Sequence, residues 1–209
     1  MKSLLKIAVA LAVLVSTWHA IVAIAEHKAD ALAGDGTFLL GPGHPEEMRA
    51  FSSLLGQLRR WEEPGLAEAL ARLQEAGHLR VAPRLAGNRS AIYVDALGLV
   101  RRIYVRRDEL LSRDRPFPDL EVPDRARRLF ATLRLAGTLL HELQHYEGLE
   151  DEGATYDREI EWYEEVRDAA LHGLAGEEER WAGWAIDSAV ESARAARETA
   201  TGHPGAAGP

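Results

Sequence analysis

The stretch from Asp124 to Gly148, DRARRLFATLRLAGTLLHELQHYEG, most limits the folds open to this chain. It reads as one long helix, capped by Asp124 and ended by Gly148. Arg125, Arg127, Arg128 and Arg134 interrupt it, so it is not a bilayer-spanning helix. A second helix follows almost at once, EDEGATYDREIEWYEEVRDAALHG, and so short a connection implies an antiparallel pair. Within the first helix, His141 and His145 stand four apart, on one face and one turn from each other. Their rings can reach a single ion.

Composition narrows what that ion and its surroundings can be. The 209 residues suffice for one domain with a real core. The formal charge is −8, lysine is absent after Lys28, and arginine carries most of the positive charge. An acidic chain without a basic tail argues against nucleic acid as a partner. There is no cysteine, which removes disulfides, thiol nucleophiles, iron–sulfur clusters and Cys-ligated zinc together. Any metal must be held by histidine and carboxylate.

The N-terminus differs from the rest. After Lys2 and Lys6 the chain runs apolar to Ala25, with Ser16, Thr17 and His19 as polar interruptions. Residues 1–25 read as a signal peptide cleaved after Ala23-Ile24-Ala25, as an uncleaved membrane anchor, or as a buried core helix. Either of the first two readings places the remainder outside the cytoplasm. Residues 26–44 are rich in Gly, Ala and Asp and read as a linker.

A folded domain is expected over residues 45–200. Pro45 opens a helix whose Phe51, Leu54, Leu55, Leu58 and Trp61 keep helical spacing, and a second short helix ends at Gly77. The segments HLRVAP, SAIYVDA and LVRRIYVRR predict a small antiparallel sheet over about residues 79–106. The arginines of the last segment read as the solvent face of an edge strand. Residues 113–123 form a Pro-rich loop. A final helix is expected from about Glu177 to Ala200, with Trp162, Trp181 and Trp184 packed between the last helices. Residues 201–209 should be a disordered tail.

The antiparallel pair locates a third ligand. Counting outward from Gly148, His145 faces residue 151 or 152 and His141 faces about residue 155. The incoming carboxylate is therefore Glu152. Tyr156, Glu159 and Tyr163 continue the same face, and buried carboxylates in such a stripe need a cation. Asp151 competes, because HELQHYEGLED also fits a HExxHxxGxxD pattern, and Glu159 is either a third ligand or a group that orients a ligand histidine. Tyr156 reads either as an oxyanion donor or as a packed tyrosine.

HExxH followed by a Gly turn and a glutamate-bearing helix resembles the zincin superfamily of zinc metallopeptidases. EGATY, starting at Glu152, is similar to the ligand helix of the minimal single-domain Glu-type zincins. The resemblance covers residues 79–172, although the spacer from His145 to Glu152 is shorter than in most of that group. It implies an α+β zincin-like fold: a small antiparallel sheet, an active-site helix and packed C-terminal helices. It further implies zinc on His141, His145 and Glu152, Glu142 as general base, and a peptide or protein substrate. The competing function is a non-catalytic helical envelope protein with a structural or degenerate metal site.

Overall fold

The computed structural model describes residues 2–34, 36–61, 63–85, 89–112 and 123–202, with side chains from residue 11 onward. Among these residues the protein is α+β, with eight helices and a four-stranded mixed sheet. In chain order the elements are α1 (Lys2–Ala33), β1 (Phe38–Leu39), α2 (Pro45–Arg60), α3 (Pro64–Glu75), β2 (Leu79–Ala82), β3 (Ala91–Ala96) and β4 (Val100–Arg106). They continue as α4 (Arg107–Leu111), α5 (Asp124–Tyr146), α6 (Glu152–Glu165), α7 (Arg167–Leu171) and α8 (Glu177–Thr201). The Pro-rich loop and the C-terminal tail fall almost entirely outside the described residues.

The sheet departs from the antiparallel expectation. Its order is β1-β2-β4-β3, and β2 runs parallel to β4, while β1/β2 and β3/β4 are antiparallel. Leu97 and Gly98 both take positive φ and fold β3 and β4 into a hairpin. That hairpin leaves the far side of β4 free, and β2 docks there. β3 is thus an edge strand, whereas β4 is interior.

This position corrects the reading of LVRRIYVRR. Alternate residues of β4 face opposite sides of the sheet. Ile103 and Val105 join the main core with Leu79, Val81, Leu133 and Leu139. Arg102 and Tyr104 point to the other side and are buried there, Arg102 at 5% exposure. Their partners come from α1. Arg102 pairs with Glu26 at 2.8 Å and Asp30 at 3.3 Å, Arg80 pairs with Asp30 at 3.1 Å, and the Tyr104 hydroxyl donates to Asp30 at 2.7 Å.

Residues 26–33 are therefore not linker. They continue α1, and Ala25, Ala29 and Ala33 pack on Val94, Ala96, Val100 and Tyr104. Small residues four apart let the helix lie close on the strands. Toward the N-terminus the same helix stands away from the fold, with Leu11, Leu14, Trp18, Ile21 and Ile24 exposed. Among the residues whose side chains are described, from Leu11 onward, no helix is long and apolar enough to cross a membrane.

Opposite α1, helices α2, α3 and α5 close the core, and α6 and α8 pack on α5. The expected single helix after Gly148 is broken at Val166 into α6 and α7. Trp162 is core, tilted against Trp61. Trp184 is not core: it is 47% exposed and stacks on Phe130.

Candidate metal centre

The end of α5 sets the geometry. Gly148 has φ +102°, which permits the tight reversal that a side chain would resist. Its N–H donates to the His145 carbonyl, and the Leu149 N–H donates to the Gln144 carbonyl, a Schellman closure. The turn has a second consequence. It aims the Leu149 carbonyl at His145, whose Nδ1 lies 2.7 Å away. An acceptor there fixes the proton on Nδ1 and leaves Nε2 as a lone pair.

Asp151 then starts α6. Its carboxylate accepts from the Ala154 N–H at 2.7 Å, so it caps α6 and is not in the group of converging donors. The next residue, Glu152, points at the histidines. His141 Nε2 is 3.3 Å from Glu152 Oε2, and His145 Nε2 is 3.4 Å from Glu152 Oε1. The two Nε2 atoms are 3.2 Å apart. His141, His145 and Glu152 form the metal-competent group found among the described residues.

These separations test the fit of an ion. Two donors about 2.0–2.1 Å from a tetrahedral zinc stand about 3.3 Å apart. All three donor pairs match. The protonation logic agrees. His141 Nδ1 faces Glu159 Oε2 at 3.5 Å, which calls for a proton on Nδ1 and a lone pair on Nε2. Two lone pairs and a carboxylate would then converge on one point, an arrangement relieved by a metal ion or by a proton on one imidazole. Burial pulls the His141 pKa down, but Glu159, Glu142 and Glu152 more than reverse this and the net shift is upward. The local field favours positive charge.

Glu142 lies beside this point and is not one of the converging donors. The Tyr93 backbone N–H donates to its Oε2 at 2.6 Å. Burial pushes the Glu142 pKa up, the Tyr93 amide and both histidines pull against it, and it remains raised. Tyr156 packs its ring on His141, with centroids 4.5 Å apart. Burial and then the carboxylates of Glu152, Glu159 and Glu142 raise its pKa, so it keeps its proton at neutral pH.

A cleft of about 960 Å³ opens over these groups. The edge strand β3 forms one wall, and Ser188, Ser192 and Thr199 of α8 belong to its lining. Glu152 is half-exposed at its floor. A larger cleft of about 1180 Å³ lies beside α2, α4 and α7, and it carries no convergent ligand set among the described residues. Size does not select the site. Chemistry does.

Sequence reasoning reached His141, His145 and Glu152 through periodicity and turn counting. It missed Tyr93, whose contribution is a backbone amide, and the α8 wall, whose small polar residues carry no motif. No family model matches the chain, and no curated protein or solved structure matches it either.

Proposed function

We propose that the protein is a zinc-dependent metallopeptidase of zincin type. The observation that carries this reading is the convergence of His141 Nε2, His145 Nε2 and Glu152 on one point, with Glu142 beside it and an open cleft above. His141, His145 and Glu152 are the residues that would hold the ion. Bound there, zinc supplies Lewis acidity and makes a water molecule acidic near neutral pH.

The chain's own groups do the rest. Glu142, held by the Tyr93 amide, takes a proton from the attacking water on a carboxylate oxygen and returns it to the leaving amine. Tyr156, still protonated, is a hydrogen-bond donor for the developing oxyanion. The outer edge of β3 pairs with no strand among the described residues, and its backbone groups other than the Tyr93 amide favour an extended peptide as substrate. Hydrolysis of a mixed peptide library that a chelator abolishes, and zinc restores, is the expected result. Zinc-loaded protein that cleaves nothing would favour a structural metal site.

For the N-terminus we propose an uncleaved membrane anchor that holds the domain outside the cytoplasm. Exposed apolar side chains on several sides of α1 support lipid as their surroundings. The buried Ala25, inside a continuous helix, favours retention over cleavage at that point.

A further inference from the structure

Gly137 lies four residues before His141, inside α5, where glycine is a poor helix former. The space around it explains its presence. A Cβ at Gly137 would lie 2.0 Å from the Tyr163 hydroxyl oxygen, 2.5 Å from Tyr163 Cζ and 3.0 Å from Glu159 Oε1. Only hydrogen fits. Tyr163 is itself 2% exposed, and its hydroxyl donates to Glu159 Oε1 at 3.0 Å.

That bond engages one oxygen of a buried carboxylate. The other, Oε2, is the atom 3.5 Å from His141 Nδ1. This is longer than a normal hydrogen bond, and Nδ1 is buried with no other partner. Each group therefore depends on the next. Without the cavity at Gly137, the Tyr163 phenol cannot reach its place. Without the phenol, a buried Glu159 loses its donor. Without Glu159, no acceptor faces His141 Nδ1 to favour the tautomer that presents Nε2.

We propose that Gly137, Tyr163 and Glu159 form a positioning lock that fixes the His141 imidazole as a metal ligand. The lock rests on the metal-site reading above but fails separately from it. None of the three residues touches the reacting atoms; they act through His141. Nothing in the HELQH motif requires them, because Gly137 precedes it and the other two lie on α6.

The test measures zinc affinity of the purified full-length chain by competition with a chelating dye. Glu159→Gln and Tyr163→Phe keep side-chain shape, and circular dichroism with the melting temperature of the metal-free protein checks that each folds. Partners of metal-bound histidines are typically worth about 10–100-fold in affinity. Glu159→Gln should weaken zinc by about that factor, and Tyr163→Phe in the same direction by less. With cobalt in place of zinc, both variants should alter the visible absorption bands, which a purely structural role would leave unchanged. Gly137→Ala should also weaken zinc, and adding Tyr163→Phe to it should cost less than the sum, because both break one chain of contacts. Wild-type affinity in Glu159→Gln and Tyr163→Phe would overturn the lock, as would full additivity. If the wild-type chain bound no zinc, the metal site itself would fall first.

Discussion

Glu142 shows how one side chain's role follows from its neighbours. It follows His141 directly, so its side chain points about 100° away around the helix, beside the converging ligands. Glu142→Gln keeps the shape and a hydrogen-bonding oxygen for the Tyr93 amide but cannot take a proton. Loss of a general base is worth about 10²–10⁴ in rate. Peptide hydrolysis should fall by that much in this variant while zinc content and melting temperature hold. Retention of wild-type turnover would remove Glu142 from the mechanism. At this scale the sequence was legible where chemistry sits in side chains at helical spacing, as for His141 and His145. Glu152 was legible because Gly148 fixes how the chain reverses. Asp151 and Glu152 are adjacent acids, and only the cap bond to Ala154 separates their roles. The Tyr93 amide leaves no mark in the sequence at all.

Among the elements, α1 and the sheet diverge most from the sequence reading. Strand positions follow from local composition, but the order β1-β2-β4-β3 does not, because pairing between distant strands leaves no local signal. The stretch EHKADALAG looked like linker from its Gly, Ala and Asp content. Ala25 just before it, with its Ala29 and Ala33, made the four-residue repeat that was the helical signal composition hid. Asp30 holds this element to the sheet through Arg80, Arg102 and Tyr104. Asp30→Ala should cost about 2 kcal/mol, the scale of lost hydrogen bonds to charged groups, as read by urea unfolding. An unchanged midpoint would mean that α1 contributes little. The same clamp carries a pH dependence. Burial, reinforced by the hydrogen bond to Asp30, pushes the Tyr104 pKa up to about 12, against about 10 when unfolded. A raised pKa gives stability that is full below pH 10 and lost as pH rises through 12. Tyr104→Phe should flatten that decline, and an identical alkaline decline in the variant would contradict it.

At the scale of the whole molecule, an exposed apolar helix and the cleft over the candidate metal site share one chain. The continuous α1 ties the two together, with its exposed end carrying Leu11 to Ile24 and its other end buried on the sheet. A retained anchor would keep the cleft near a membrane surface. Fractionation of cells expressing the full chain should find it in membranes with its N-terminal segment intact. A soluble product beginning at Glu26 would contradict retention.

The central claim is that His141, His145 and Glu152 hold one metal ion, and elemental analysis of the purified chain tests it most directly. After zinc loading and removal of excess, the wild type should carry one zinc per chain. Glu152→Ala should carry little or none, while Asp151→Ala, which loses only a helix cap, should carry the full amount. A wild type without zinc, or a Glu152→Ala variant that keeps it while Asp151→Ala loses it, would contradict the site described here.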